Sequence, residues 1–321
     1  MTVVGPLTEV SGLDDAAVVR ACLMEATPRL PPWLGYDEVG SRLFEAITEL
    51  PTYYLTRSET GLLHRHAGEI AELVEGQRIA ELGSGSAKKT RLLLGECQQR
   101  GPTTYIPIDV SQEMLQSSAA SLRQSIPGLQ VTALWGRYEA GLHWLRHNSG
   151  PTVIAFLGSN LGNTTPAERA ALLADIAATL RPGDGFLVSV DLDKSAARME
   201  TCYNDPPGYS AFAQFRLNHL VQLNERFGSD FDVGSFYPRA RYDAATRTVE
   251  GHLYASEDQE VVVPALDLTV SLRRGGSVNV GFSAKFDRAE LVADLAEHGL
   301  RSQAEWLDPQ WEYAIFLFRK R

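Results

Sequence analysis

Cysteine is scarce in this chain of 321 residues, with three in all. Cys22, Cys97 and Cys202 lie far apart with no CxxC or paired spacing, which excludes a disulfide framework and gives no zinc-ligand pattern. Positive charge is also in deficit: 30 Lys and Arg face 40 Asp and Glu, a formal net charge of -10. Such a balance lacks the basic excess that a nucleic-acid surface or an anionic membrane would demand. No apolar run approaches the ~20 residues of a membrane span, and the stretch from Met1 to Val10 has no Lys or Arg and contains Pro6, unlike a targeting leader. Repeats and low-complexity tracts are missing too. What is there is 44% hydrophobic residues, enough to bury a large core. The expectation is a globular, cytosolic monomer that takes a small neutral or zwitterionic ligand and no nucleic-acid, membrane or metal partner.

Hydrophobic spacing divides the chain. Residues 1 to about 60 read as helix, turn, helix: an amphipathic stretch from Asp14 to Glu25, a Pro31-Pro32 break, then Tyr36 to Leu50 with apolar residues at Val39, Leu43, Phe44 and Ile47. From Arg78 to Leu192, short apolar runs alternate with helical segments, the pattern of βαβ units on a parallel sheet. The runs are Arg78 to Leu82, Tyr105 to Val110, Val131 to Leu134, Val153 to Leu157 and Phe186 to Leu192. Thr165-Pro166-Ala167-Glu168 opens a helix with an N-cap, a first-turn proline and a capping-box glutamate. Beyond Asp193 come Tyr203, Tyr209, Phe212 and Phe215, then strand-like runs at Thr248 to Ala255, Glu260 to Val263 and Leu266 to Leu272. A helical pattern from Arg288 to His298 and an apolar run from Tyr313 to Phe318 return to the first style. The fold expected is α/β: a Rossmann-like domain of residues 57–195 and 286–321, split by an α+β domain of 196–285 that also takes 1–56.

The strongest chemical signal is Glu81-Leu82-Gly83-Ser84-Gly85, between a strand and a helix beginning near Lys88 or Lys89. Its glycines permit a tight turn and close approach of a ligand, and a helix amino terminus favours a carboxylate or phosphate. The next strand ends in Asp109, where an acid accepts hydrogen bonds from ribose hydroxyls in doubly wound folds. Together they indicate a nucleoside cofactor. The loop lacks the third glycine or alanine of a dinucleotide fingerprint, so a pyrophosphate fits poorly. Glu81, and Leu180-Arg181-Pro182-Gly183-Asp184 ahead of the fifth strand, resemble instead the class I methyltransferase pattern. Under that resemblance the cofactor is S-adenosyl-L-methionine, with Lys89 pairing its methionyl carboxylate.

Longer motifs sharpen the likeness: Tyr36-Asp37-Glu38-Val39-Gly40-Ser41, Leu50-Pro51-Thr52-Tyr53-Tyr54-Leu55-Thr56-Arg57, Phe156-Leu157-Gly158-Ser159-Asn160-Leu161-Gly162-Asn163 and Ser283-Ala284-Lys285-Phe286. From about residue 30 onward the chain resembles the histidine-specific Nα-methyltransferases of ergothioneine biosynthesis. The resemblance implies that Asn163 and Tyr203 hold the substrate carboxylate, Tyr36 and Gly158 lie near its amino group, and Tyr53 faces the side-chain pocket. Gly251, Gly281, Phe282 and Ser283 fall on the substrate-pocket motifs, and Arg137 and Tyr138 follow the third strand, where the family contacts adenine. Arg137 replaces an acidic contact there, which leaves the backbone amide of Tyr138.

The departures bear on the substrate. The family's imidazole-binding glutamate stands two residues before the serine of Ser283-Ala284-Lys285-Phe286, a position held here by Gly281, and Gly251 replaces a bulky methionine. Losing a buried charged partner would weaken histidine binding by about 2–5 kcal/mol, and added apolar volume favours a larger ring. The acceptor expected is L-tryptophan, methylated on its α-nitrogen up to the trimethyl betaine, with L-histidine and hercynine formation as the alternative. A competing reading keeps Gly251 and Gly281 as strand glycines at bulges, with Phe282 or His252 rebuilding the pocket. A nicotinamide-dependent dehydrogenase is the rival enzyme, and it lacks a Tyr-x-x-x-Lys or a motivated catalytic histidine. A cofactor-binding protein without catalysis is the third possibility.

Overall fold

The computed structural model describes residues 2–5, 15–148 and 150–321; Pro6 and Asp14, used in the sequence reading, lie outside them. Thirteen strands are described: β1 (Thr2–Val4), β2 (Arg78–Leu82), β3 (Thr104–Asp109), β4 (Gln130–Trp135), β5 (Thr152–Phe156), β6 (Gly185–Asp191), β7 (Phe236–Asp243), β8 (Thr248–Ala255), β9 (Gln259–Val263), β10 (Leu268–Leu272), β11 (Ser277–Ala284), β12 (Leu300–Asp308) and β13 (Tyr313–Lys320). The α-helices are α1 (Asp15–Leu23), α2 (Glu38–Thr48), α3 (Tyr54–Leu73), α4 (Thr90–Arg100), α5 (Gln112–Ser125), α6 (Tyr138–His147), α7 (Pro166–Thr179), α8 (Ala196–Tyr203), α9 (Ala211–Phe227) and α10 (Arg288–Glu297). No described helix is long and apolar enough to cross a membrane.

The chain forms two compact units. One consists of Leu55–Asp193 and Lys285–Arg321 with the amino-terminal strand; the other runs from α1 to Tyr54 and from Lys194 to Ala284. In the first unit an eight-stranded sheet has the order β1-β4-β3-β2-β5-β6-β13-β12. Strands β1 to β6 pair in parallel, while β13 runs antiparallel to both β6 and β12. Placing β1 here corrects the assignment of residues 1–56 to the second domain: Thr2, Val3 and Val4 pair with Thr132, Ala133 and Leu134. The continuous apolar runs are explained by their positions, since β5 and β6 are buried along their whole length and β13 from Tyr313 to Phe318. Helix α7 starts on the full Thr165–Glu168 capping box with proline in its first turn. The order of strands reverses between β2 and β5, and in open parallel sheets that switch point is where ligands lie, beyond the carboxyl ends of the strands.

The second unit carries the three-stranded antiparallel sheet β11-β8-β7 and the pair β10-β9. Leu253 and Ala255 of β8 and Val278 and Val280 of β11 share a core with Leu220 and Leu223 of α9. A bulge between Asn279 and Gly281 shifts the register, after which Gly281 pairs with Gly251, Phe282 with Glu250 and Ser283 with Val249. The run read as one strand from Leu266 to Leu272 divides: Pro264–Leu266 is a 3-10 turn, and Asp267, at φ +46°, turns the chain before β10 starts at Leu268.

Candidate active site

The glycine turn stands at the switch point of the large sheet. Leu82 ends β2, and the backbone then passes through positive φ at Gly83 (+68°) and Gly85 (+49°), a region where residues with a Cβ are strained. The amides of Gly83 and Ser84 donate to the Ile108 carbonyl at 2.8 and 3.3 Å, which fastens the turn to β3. A Cβ at Gly83 would meet the Tyr138 hydroxyl at 2.9 Å, whereas at Gly85 nothing lies within 4 Å. The turn is thus roofed by Tyr138 at one glycine and open at the other. Tyr138 is the first residue of α6, with Arg137 as its extended N-cap, and its ring stands edge-on to Phe156 at 5.3 Å.

Asp109, at the end of β3, accepts from the Gly85 amide on Oδ2 and from the Ser111 amide on Oδ1, each at 2.9 Å. Burial raises its pKa against the opposing pull of these hydrogen bonds. The Val110 amide donates to it as well, which leaves one of its roughly four lone-pair sites to accept from a ribose hydroxyl while the others shape the turn. Beneath the turn, Glu81 is 3% exposed and accepts from Thr90 Oγ1 at 2.7 Å and from the Tyr105 hydroxyl. Burial lifts its pKa to about 7, with those hydrogen bonds acting in the other direction.

Lys89 departs from expectation. Its Nζ is paired with the buried carboxylate of Glu59, so it is not a free cation, and it occupies the N-cap of α4 in helical conformation. Glu59 was not legible as a site residue, yet it ties the loops together. Its Oε1 accepts from the Gly158 amide at 2.7 Å, the Tyr313 hydroxyl at 3.2 Å and the Ser189 hydroxyl. Burial alone would raise its pKa, but the Lys89 charge and the bonds from Gly158, Lys89 and Ser189 outweigh it and hold the carboxyl below the ordinary value. The only sequence signal was position, two residues beyond the motif ending at Arg57.

Gly158 and Asn163 belong to the loop after β5. Gly158 (φ +81°) and Ser159 (φ +58°) turn the chain, and Asn160 donates to the Leu157 carbonyl at 2.8 Å while accepting from Asn163 Nδ2 at 3.2 Å. Asp191 N donates to Ser159 Oγ at 3.1 Å, and Asp191 Oδ2 forms a fully buried ion pair with Lys285 at 2.9 Å. The lysine of the Ser283–Phe286 motif thus secures the chain's return to the large sheet.

In the second unit, Tyr53, Tyr203, Gly251, Gly281 and Ser283 come together. The Tyr203 hydroxyl lies 2.9 Å from Ser283 Oγ, and the Tyr53 ring is edge-on to Tyr203 (6.1 Å) and Phe212 (5.9 Å). The Tyr36 ring stands edge-on to Phe44 at 5.6 Å and to Phe215 at 5.1 Å. Phe282 is a correction: side chains alternate across a strand, so its register with Glu250 puts it on the opposite sheet face from Gly281 and Ser283. His252 is on that far face too, bonded to Glu250 and Ser277 at 3.0 Å each. Neither ring rebuilds the pocket. The space over Gly251 is nevertheless filled, because a Cβ there would meet Arg216 Nε at 2.9 Å, while at Gly281 only the Gly251 backbone approaches, at 3.8 Å. The gain in volume expected from both glycines is therefore confined to Gly281.

A six-stranded parallel array closed by an antiparallel β13-β12 hairpin, with a positive-φ glycine turn at its switch point, defines a class I methyltransferase. The open ground at Gly85 and the remaining lone pair of Asp109 fit the nucleoside of S-adenosylmethionine. Residues 15–320 match the family described as histidine-specific, S-adenosylmethionine-dependent methyltransferases, and the chain belongs to that family. It is 38% identical over 299 residues to a histidine N-alpha-methyltransferase of Mycobacterium tuberculosis, covering 92% of each chain. It is 31% identical to ergothioneine biosynthesis protein 1 of Neurospora crassa, over 91% of this chain and 33% of the relative. An L-tryptophan methyltransferase of Psilocybe serbica matches at 26%, over 95% of this chain and 92% of the relative. The chain is an S-adenosylmethionine-dependent enzyme of an amino-acid N-methylating family.

Proposed function

We propose that the enzyme methylates the α-amino nitrogen of a free aromatic amino acid, L-tryptophan before others, up to the trimethyl betaine. The observation that carries this reading is Gly281: where the family resemblance puts an imidazole-binding glutamate there is no side chain, and a Cβ there would touch only the Gly251 backbone, at 3.8 Å, in the unit that also holds the packed rings of Tyr53, Tyr203 and Phe212. Tryptophan as acceptor has a precedent in the Psilocybe relative. L-Histidine, with hercynine as product, is the second reading, favoured by the family description and the mycobacterial relative. A small-molecule acceptor, a cytosolic location, a monomeric state and no nucleic-acid or membrane partner complete the proposal.

S-Adenosylmethionine, when bound, supplies the electrophilic methyl carbon. The chain's own task is to bind the acceptor with its nitrogen neutral, in line and at ~3–3.5 Å, and to exclude water. On the family resemblance we assign the carboxylate to Asn163 and Tyr203, whose amide and phenol can donate to it and leave the amine free. Tyr36 and the loop at Gly158 are assigned to the nitrogen, and Tyr53 to the ring. Gly83, Ser84, Gly85 and Asp109 are assigned to the cofactor, with Arg137 and Tyr138 at its adenine end. Water can take the released proton, so no strong general base is needed. The test is incubation with labelled cofactor and each proteinogenic amino acid, followed by mass measurement of the products. Tryptophan turnover should exceed histidine turnover; dominant histidine turnover defeats the reading.

A further inference from the structure

Arg216 is an unusual side chain for the interior of the second unit. It stands on α9, 6% exposed, with its guanidinium carbon 4.9 Å over the Phe212 ring and Nη2 donating to the Tyr203 carbonyl at 2.5 Å. Nε occupies the space that any side chain at residue 251 would take, 2.9 Å from the Cβ position. Among the described residues no carboxylate pairs with it. Asp205 acts on it from a distance, and both oxygens of that carboxylate are taken by the amides of Phe212 and Ala213, at 2.9 and 2.8 Å. Burial lowers the arginine's pKa only to about 10, so it is cationic at neutral pH. A guanidinium has five N–H donors, and a buried charge with a single carbonyl partner is costly unless something else meets it.

We propose that Arg216 is the residue that selects the acceptor's side chain: it gives the pocket a positive charge, which turns away imidazolium and receives the electron-rich face of an aromatic ring. The inference deepens the aromatic-acceptor reading and rests on it. Two glycines make the arrangement possible. Gly251 leaves room for the guanidinium, and Gly281, its cross-strand partner, leaves the adjoining room without a carboxylate to neutralise it. Guanidinium groups attract ring faces, indole most strongly, whereas they repel a protonated imidazole across a site with little water. The phenol of Tyr203, the distant Asp205 and His219 are the titratable groups that act on Arg216; burial lowers the His219 pKa to about 4, so it is neutral near pH 7, and none of the three cancels the charge there.

One consequence is specific to this geometry. Gly281→Glu alone should not make a histidine site, because the new carboxylate comes within reach of Arg216 and is spent on it. The experiment compares wild type, Arg216→Gln, Gly281→Glu and the Arg216→Gln/Gly281→Glu double variant on tryptophan, tyrosine, phenylalanine, glutamate and histidine. Both turnover and equilibrium binding in the presence of S-adenosylhomocysteine are measured. The tryptophan-to-histidine ratio of kcat/KM should fall at least tenfold in Arg216→Gln, mainly through KM. In wild type, relative histidine turnover should rise as pH passes the imidazole pKa of ~6.5, and that rise should vanish in Arg216→Gln. Histidine should gain at least tenfold in the double variant and little in Gly281→Glu. A loss shared equally by all acceptors would show that Arg216 only supports the Tyr203 carbonyl and would overturn the proposal. So would equal histidine gain in the single and double variants, or glutamate ranking above the aromatic acceptors. If no amino acid is methylated but the binding ranks still depend on residue 216, the methylation reading fails and the role of Arg216 stands; binding of none overturns both.

Discussion

Replacing Glu81 with Gln tests whether the carboxyl beneath the glycine turn is a buried acid held near neutrality. Its pKa of about 7, against an ordinary 4.5, means that the folded chain favours the protonated form. The acid's contribution is therefore fully present below pH 4.5 and lost as pH rises through about 7. At about 1.4 kcal/mol per pH unit, the ionised group costs the fold about 3 kcal/mol at pH 8 and above. Gln cannot ionise. Its carbonyl can accept from one of the two hydroxyls, Thr90 or Tyr105, and its amide can donate to the other once that hydroxyl turns. Imperfect fit should reduce the gain, leaving Glu81→Gln about 1–2 kcal/mol more stable than wild type at pH 8.5 and near parity at pH 5. Urea unfolding of both proteins at half-unit steps from pH 5 to 8.5 gives the difference directly, with the titrations common to both cancelling. A difference that does not vary with pH, or a variant weaker at pH 8.5, refutes the reasoning.

Two further substitutions probe the same region. Glu59→Gln removes the counter-charge of Lys89, and with Lys89 partly exposed the loss should be about 2–3 kcal/mol in urea unfolding at pH 7. Because the Glu59 carboxyl is held below its ordinary value, its contribution is present above pH 4.5 and lost as pH falls through the folded-state pKa, so the stability gap should narrow in acid. Gly83→Ala puts a Cβ 2.9 Å from the Tyr138 hydroxyl at φ +68°; calorimetry should show at least tenfold weaker S-adenosylmethionine binding, with about 1 kcal/mol lost in stability.

Strands β2, β3, β5 and β6 could be read from the sequence because they are buried through most or all of their length and so appear as apolar runs. The capping box of α7 could be read because its chemistry is local to four residues. Strands β7 and β12 escaped because they are mostly exposed or half-buried: only Phe236 and Ala240 of β7, and Leu300 and Trp306 of β12, are buried, so no period emerges. In the site, the glycine turn and Asp109 were legible by spacing alone. Arg216 was not, because only the packing of α9 on the sheet brings it to Gly251, 35 positions further along the chain. Phe282 was misplaced for a related reason: it neighbours Gly281 and Ser283 in sequence, but a strand sends consecutive side chains to opposite sides.

The position of β13 has a consequence for biosynthesis. It lies between β6 and β12, matching residues Gly185 to Asp191 through seven pairs, yet it is translated only after every segment of the second unit. Until then the nascent β6 has a bare hydrogen-bonding edge on a strand that is buried along its whole length in the finished fold, the kind of surface that recruits other chains. A ribosome that stalls before Tyr313 would therefore release a product prone to self-association, while the intervening hundred or so residues could already be folded.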